Sequence, residues 1–161
     1  MSSKTFGIIG CGNTGSALVN LLKNFNVNIL VYDKYKEDYP FKSSMEKIFN
    51  ESDFISLHIP LSNETEYLVN KAFINKVKKP FYLINTSRGK CVNTNELVNA
   101  IKDEKIIGAC LDVFEFEKNS FEDIKKDDEN LKFLLNSNKT ILTPHIAGWT
   151  HESYYKIAKI L

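Results

Sequence analysis

The sequence predicts an α/β fold in which a doubly wound parallel sheet forms the middle of three layers, with helices on both faces. Two observations predict it. Short apolar, β-rich segments alternate with segments of helical period along the whole chain, a pattern typical of right-handed βαβ units. A glycine-rich turn also follows the first predicted strand. The 161 residues suit one domain, and we predict a single domain spanning residues 1–161.

The predicted elements follow one another without an internal repeat. Strands are predicted where short apolar runs end in polar or turn residues: Thr5–Ile9, Asn28–Tyr32, Phe54–Leu57, Phe81–Asn85, 108–112 and Thr140–Leu142. Helices are predicted where apolar residues recur every three or four positions: from the glycine turn to about Leu22, then 45–49, 95–101 and 152–161. Ser44 and Thr94 are the predicted caps of the second and third of these helices. Residues 114–135 are highly charged and are predicted to form an irregular surface excursion.

Composition and charge exclude several functional classes. The net charge is +1 and no basic stripe is present, so neither nucleic acid nor an anionic membrane is an expected partner. No apolar run approaches the roughly 20 residues of a transmembrane helix. The three cysteines, Cys11, Cys91 and Cys110, are odd in number and widely spaced, which favours neither a disulfide framework nor a zinc site. A cytoplasmic protein is expected.

The glycine turn has the spacing of a dinucleotide site. Gly10, Gly12 and Gly15 lie between a predicted strand and a predicted helix, which is the Rossmann arrangement. Gly10 would permit a tight turn, Gly12 would let the backbone approach a pyrophosphate, and Gly15 would allow close helix packing. The N-terminus of the following helix offers N–H groups to the anion. We therefore expect a nucleotide cofactor here.

Asp33 indicates which cofactor. It ends the second predicted strand, where a carboxylate would accept hydrogen bonds from the adenosine ribose and repel the extra phosphate of NADP. NAD is therefore the predicted cofactor. Lys34 and Lys36 lie close enough to weaken that repulsion, which leaves NADP open. A methyltransferase that binds S-adenosylmethionine also uses a glycine turn and an acidic strand end, but it would not need the later arginine and histidine.

Three further polar sites follow predicted strands and would therefore lie at the same edge of the sheet. Arg88 is the only arginine among 21 basic residues, and its planar fork suits a carboxylate or keto group. The ordinary pKa of a histidine side chain is about 6.5, so the residue type at position 145, His145, suits transfer of a hydroxyl proton. Glu117 would orient this histidine and stabilise its protonated form. His58 precedes Pro60 in an extended loop that could lie along the cofactor.

Five segments carry a family resemblance: Gly10 to Gly15, His58 to Leu61, Asn85 to Gly89, Leu111 to Glu117 and Thr143 to Gly148. In this order they resemble the D-isomer-specific 2-hydroxyacid dehydrogenases, the family of phosphoglycerate, D-lactate, glycerate and formate dehydrogenases. The resemblance to the NAD-binding domain of these phosphoglycerate-dehydrogenase-like proteins covers nearly the whole chain. One departure is Lys118, where the family usually has proline.

The resemblance implies roles for individual residues. Arg88 would bind and polarise a 2-hydroxy acid substrate, His145 would act as the acid and base, and Glu117 would be its partner. Asp33 would hold the ribose, while Asp112 and the segment near Thr86 would face the nicotinamide. The full predicted cofactor-binding set is Gly10, Gly12, Asn13, Thr14, Gly15, Asp33, His58, Pro60, Thr86, Ser87, Asp112, His145 and Gly148.

The resemblance also sets expectations for the protein as a whole. Family members carry a substrate domain that these 161 residues lack, so we expect the isolated chain to bind NAD but to be catalytically incomplete. A homodimer through this domain is expected. The alternative is a noncatalytic NAD(H)-sensing or interaction module, which the presence of Arg88, Glu117 and His145 disfavours.

Overall fold

The computed structural model describes residues 3–115 and 128–160, and this part of the chain contains a six-stranded parallel sheet. The spatial order of the strands is β2-β1-β3-β4-β5-β6. Their bounds are Thr5–Ile9 (β1), Asn28–Tyr32 (β2), Phe54–Leu57 (β3), Phe81–Asn85 (β4), Ile106–Leu111 (β5) and Thr140–Leu142 (β6). All five pairings are parallel, so every strand ends at the same edge. This confirms the predicted doubly wound α/β fold.

Helices connect the strands. They are Asn13–Leu22 (α1), Met45–Glu51 (α2), Lys71–Lys76 (α3), Thr94–Lys102 (α4), Glu129–Asn136 (α5) and His151–Ile160 (α6). A short 3-10 turn, Gly89–Cys91, precedes α4. Residues just before five of the helices cap them, since each side chain accepts a hydrogen bond from the backbone N–H three positions later: Ser44, Asn70, Asn93, Asp128 and Thr150.

Two apolar cores lie on opposite faces of the sheet. The smaller core packs α1 against β1 and β2 through Val19, Leu22, Ile8 and Val31. The larger core is formed by the other face of the sheet together with α2 to α5, and Phe81, which is fully buried, belongs to it. Layers of helices on both faces are therefore present, as the strand and helix alternation predicts.

Three sequence expectations about local structure were wrong or incomplete. Asn93, not Thr94, caps α4, because its Oδ1 accepts the Glu96 N–H at 3.0 Å while Thr94 is already the first helical residue. The charged region predicted to be irregular contains α5, whose Leu131 and Leu134 face the core. Helix α3 was not predicted at all, and it buries Phe73 and Ile74.

The strand order places a cleft at one point of the sheet. β2 lies on one side of β1 and β3 on the other, so the connections after the neighbouring strands β1 and β3 leave in opposite directions above the carboxyl ends of the strands. Such a switch point is where doubly wound sheets bind ligands. In the part of the chain that the structure describes, no helix has the length and apolarity needed to cross a membrane.

Candidate functional site

The glycine turn between β1 and α1 is shaped by contacts that exclude side chains. Gly10 has φ +98°, and a Cβ added to it would lie 2.2 Å from the backbone oxygen of His58. A Cβ on Gly15 would lie 2.1 Å from the oxygen of Gly10. At Gly12, by contrast, a Cβ would meet nothing within 4 Å. Gly10 and Gly15 therefore make the turn possible, whereas Gly12 leaves open space beside the backbone.

The N-terminus of α1 differs from those of the other five helices. Gly12 occupies its cap position and offers no side-chain hydrogen bond, while α2 to α6 each have a side-chain cap. The first N–H groups of a helix lack partners within the helix. At α1 these groups, which include those of Asn13 and Thr14, can therefore serve an anion.

The Asp33 carboxylate joins the end of β2 to the glycine turn. Its Oδ2 accepts the Cys11 N–H at 2.7 Å, and its Oδ1 accepts the N–H groups of Tyr35 and Lys36 at 2.9 and 3.0 Å. Burial acts to raise the pKa of Asp33, but these three donors and the Lys36 charge outweigh it and hold the pKa below its ordinary value. The carboxylate is ionised at neutral pH, and Oδ2 keeps a lone pair for a further donor.

A cleft of about 440 Å³ opens between the ends of β1, β2 and β3. The residues that line it include five predicted cofactor-binding residues: Gly10, Gly12, Asp33, His58 and Pro60. Farther along the loop after β3, Glu64 and Thr65 extend the wall of the cleft beyond the predicted residues. The predicted residues thus lie after all three strands that border this cleft, β1, β2 and β3.

His58, which lines the cleft, has an unsatisfied polar atom. Its Nε2 lies 2.9 Å from the Ser56 hydroxyl, while its buried Nδ1 has no hydrogen-bond partner among the described residues. Burial lowers the pKa of His58, which favours the neutral ring. A buried polar atom without a partner is uncommon in a folded protein, so this atom fits a site that receives a polar ligand.

The turn after β4 presents Arg88. The buried Asn85 side chain braces this turn, since its Oδ1 accepts the Ser87 N–H and hydroxyl and its Nδ2 donates to the Arg88 carbonyl. Thr86 and Arg88 are exposed, and one guanidinium nitrogen, Nη1, donates to the Ser87 carbonyl at 2.6 Å. The guanidinium has four further N–H donors. Asn85 therefore positions Arg88.

The Asp112 carboxylate organises the segment after β6. Asp112 is only 5% exposed. Its Oδ1 accepts the Thr143 hydroxyl at 2.6 Å and the Ile146 N–H at 2.9 Å, and its Oδ2 accepts the Ala147 N–H at 3.0 Å. These contacts enclose His145, which has φ +53°, a conformation that costs a non-glycine residue free energy. Asp112 thus holds the turn that exposes His145. Its contact with the nicotinamide stays a prediction.

The remaining predicted residues lie at the carboxyl edge of the sheet or outside the described residues. Thr86 and Asp112 line a depression with Ile146 and Ala147, and the exposed Gly148 follows directly. Glu117 lies outside the described residues. Arg88 follows β4 and His145 follows β6, so β5 alone separates the two strands that present them.

Three contributing residues were given no individual role from the sequence, although Asn85 and Gly89 delimit one of the five family segments. Asn85 is a polar residue that ends an apolar strand, and this position was a usable signal. Gly89 is needed because a Cβ there would lie 1.8 Å from the Phe114 backbone oxygen, a long-range approach that carries no local signal. Glu64 reaches the cleft from a polar loop whose composition is ordinary.

Comparison with known proteins identifies the domain. Residues 1–147 match the family described as D-isomer specific 2-hydroxyacid dehydrogenase, NAD binding domain. A glyoxylate reductase from Korarchaeum cryptofilum is 37% identical over 164 aligned positions, covering 98% of this chain and 47% of that protein. A D-lactate dehydrogenase from Staphylococcus aureus is 32% identical, covering 99% of this chain and 51% of that protein.

Solved structures agree with these sequence relationships. The NAD-complexed form of a D-isomer specific 2-hydroxyacid dehydrogenase from Lactobacillus delbrueckii ssp. bulgaricus superposes with a TM-score of 0.89 at 31% identity. The match covers 98% of this chain and 50% of that structure. The chain thus spans about half the length of the relatives it matches. It belongs to the D-isomer-specific 2-hydroxyacid dehydrogenase family, of which it represents the NAD-binding domain.

Proposed function

We propose that this chain binds NAD along the carboxyl edge of its sheet and contributes catalytic groups to the interconversion of a D-2-hydroxy acid and its 2-keto acid. The observation that carries the proposal is the arrangement of this edge. The open glycine turn, the ionised Asp33, and the exposed Arg88 and His145 all follow strands that end there. Without the arginine, the domain would lack a group that binds the substrate, and without the histidine it would lack a group that transfers the proton.

The residues present fit the adenosine half of the cofactor. The free lone pair of Asp33 Oδ2 would accept a ribose hydroxyl, and the uncapped N-terminus of α1 would bind the pyrophosphate beside Gly12. The unsatisfied Nδ1 of His58 would gain a partner from the ligand or from a bound water. Thr86, Asp112 and Gly148 would adjoin the nicotinamide.

The chain's own residues would carry the proton and substrate chemistry. NAD, when bound, supplies the hydride acceptor for oxidation of the substrate. Arg88 would hold the substrate oxygens through its planar fork, and His145 would take the hydroxyl proton at an imidazole nitrogen. Glu117 is the proposed partner that stabilises the protonated histidine.

The proposal extends to the protein beyond these residues. Because the chain matches only about half of its relatives, we propose that these 161 residues bind NAD by themselves but turn over little substrate. Cleft closure and further donors to the substrate would come from a second domain. A cytoplasmic location is supported by the three free cysteines, and a homodimer through this domain is proposed from the family resemblance.

The test of cofactor binding is a calorimetric titration of NADH into the chain and into Asp33→Asn. We expect saturable binding by the unaltered chain, with affinity reduced about tenfold or more in Asp33→Asn, because hydrogen bonds to a charged group contribute about 1.5–3 kcal/mol. Asp53→Asn is the matched control. Asp53 is also a partly buried carboxylate that accepts a backbone N–H, but it precedes β3 at the opposite edge.

Equal NADH affinity in Asp33→Asn and the unaltered chain would contradict the proposed ribose contact. An equal loss in Asp53→Asn would show a general loss of structure instead, which thermal unfolding of each variant would detect. Robust turnover of a 2-hydroxy acid by the 161 residues alone would contradict the proposal that a second domain is needed.

A further inference from the structure

A three-residue bridge crosses the exposed rim of the cleft. Lys34 Nζ lies 2.6 Å from Glu64 Oε2, and the Tyr35 hydroxyl donates to that same oxygen at 2.7 Å. Lys34 and Tyr35 follow β2, whereas Glu64 belongs to the loop after β3, and all three line the cleft. The bridge therefore joins the two walls between which the adenosine would lie.

Both lysines beside Asp33 are engaged elsewhere. Lys34 is held by Glu64, and Lys36 Nζ donates to the Cys11 carbonyl at 2.6 Å. The hydrogen bond that Lys34 donates to Glu64 raises the pKa of Lys34, so its ammonium remains charged. An adenosine ribose bound to Asp33 would thus contact the Asp33 carboxylate, with Lys36 beside it. The Lys34 charge is meanwhile neutralised by Glu64.

We propose that Glu64 is a specificity-determining residue, which favours NAD over NADP by keeping the Lys34 ammonium from a ribose 2′-phosphate. This inference rests on the proposed function. A phosphate on the ribose carries up to two negative charges, and it would encounter Asp33 and Glu64 on opposite sides of the cleft. Without Glu64, Lys34 is available to the phosphate, and one repelling charge is gone.

The bridge is suited to mutation because it is a surface interaction. The Lys34 and Glu64 side chains are 54% and 53% exposed, and exposed ion pairs contribute little to stability. Loss of the pair should therefore change the charge at the cleft without unfolding the domain. Discrimination between cofactors requires only a difference in affinity, which removal of one charge can supply.

The experiment measures the affinities of NADH and NADPH by calorimetry at low ionic strength for the unaltered chain and Glu64→Gln. We expect NADPH affinity to rise about fivefold to tenfold in Glu64→Gln, the size expected for one unit charge a few ångströms away. NADH affinity should change less than about twofold, and the gain for NADPH should shrink at high salt.

Two further variants identify the cause. Glu66→Gln is the matched control, since Glu66 forms an exposed ion pair with Lys90 at 3.4 Å and does not line the cleft. It should leave both affinities unchanged. Adding Lys34→Gln to Glu64→Gln should return NADPH affinity to about that of the unaltered chain, because the released ammonium is then absent.

The outcomes separate the two proposals. If the unaltered chain binds NADH but Glu64→Gln leaves NADPH affinity unchanged, or lowers both affinities equally, the specificity role of Glu64 is wrong while the cofactor site stands. If the unaltered chain shows no NADH binding, the proposed function is overturned, and this inference fails with it.

Discussion

Replacing Gly10 by alanine is expected to lower the free energy of unfolding by about 3 kcal/mol or more, because both space and backbone conformation exclude a side chain. The added Cβ would meet the His58 backbone oxygen at 2.2 Å, and φ is +98°. Gly12→Ala should instead change stability by less than about 1 kcal/mol, since Gly12 has φ −73° and open space around it, and the entropy gained is opposed by the poor capping preference of alanine. Urea unfolding of both variants measures this difference.

The same pair separates folding from binding. Gly12→Ala should weaken NADH binding by about tenfold or more, because its methyl group occupies the space through which the pyrophosphate would approach the backbone. A folded Gly12→Ala variant that binds NADH as tightly as the unaltered chain would contradict the position assigned to the pyrophosphate. A Gly10→Ala variant of unchanged stability would contradict the geometry of the turn.

Arg88→Lys is expected to lower kcat/KM for 2-keto acid reduction by about 100-fold or more, a size comparable to loss of one preorganised donor in an active site. Lysine keeps the charge but cannot reproduce two parallel hydrogen bonds. The measurement needs a version of the protein that joins this domain to the second half found in its relatives. NADH affinity should stay within about twofold of the unaltered value.

Asn85→Ala tests the brace behind this arginine. It removes the hydrogen bonds to the Ser87 and Arg88 backbone without altering the guanidinium, so its kcat/KM should fall less than that of Arg88→Lys. Full activity of Arg88→Lys alongside normal NADH binding would contradict a catalytic role and would favour a domain that only senses the cofactor.

Sequence reasoning predicts the strands well because each is a short apolar run with a polar end. It fails for α5, where Asp128 and Glu129 continue a run of charges and hide the apolar pair Leu131 and Leu134. That pair, three residues apart after a capping aspartate, was a readable helix signal. At α4, Asn93 and Thr94 are both good caps, and only the observed Asn93 hydrogen bond to Glu96 decides between them.

The candidate site also has features that the sequence predicts and features that it does not. The glycine spacing and Asp33 are local patterns, so the cofactor prediction follows from the sequence. The contact between Lys34 and Glu64 joins residues 30 positions apart, and Asp112 reaches Ile146 over 34 positions. A single sequence carries no signal for such pairs, because their proximity is created by the order of strands in the sheet.

Amide chemical shifts measured by NMR during NADH addition test most directly whether NAD binds along the carboxyl edge of this sheet. We expect saturable shifts at the Gly10 and Gly12 turn, at Asp33, and at the segments after β3, β4 and β5. Amides at the opposite edge, such as Thr5 and Asp53, should not move. Shifts centred on that opposite edge, or none at saturating NADH, would contradict the account.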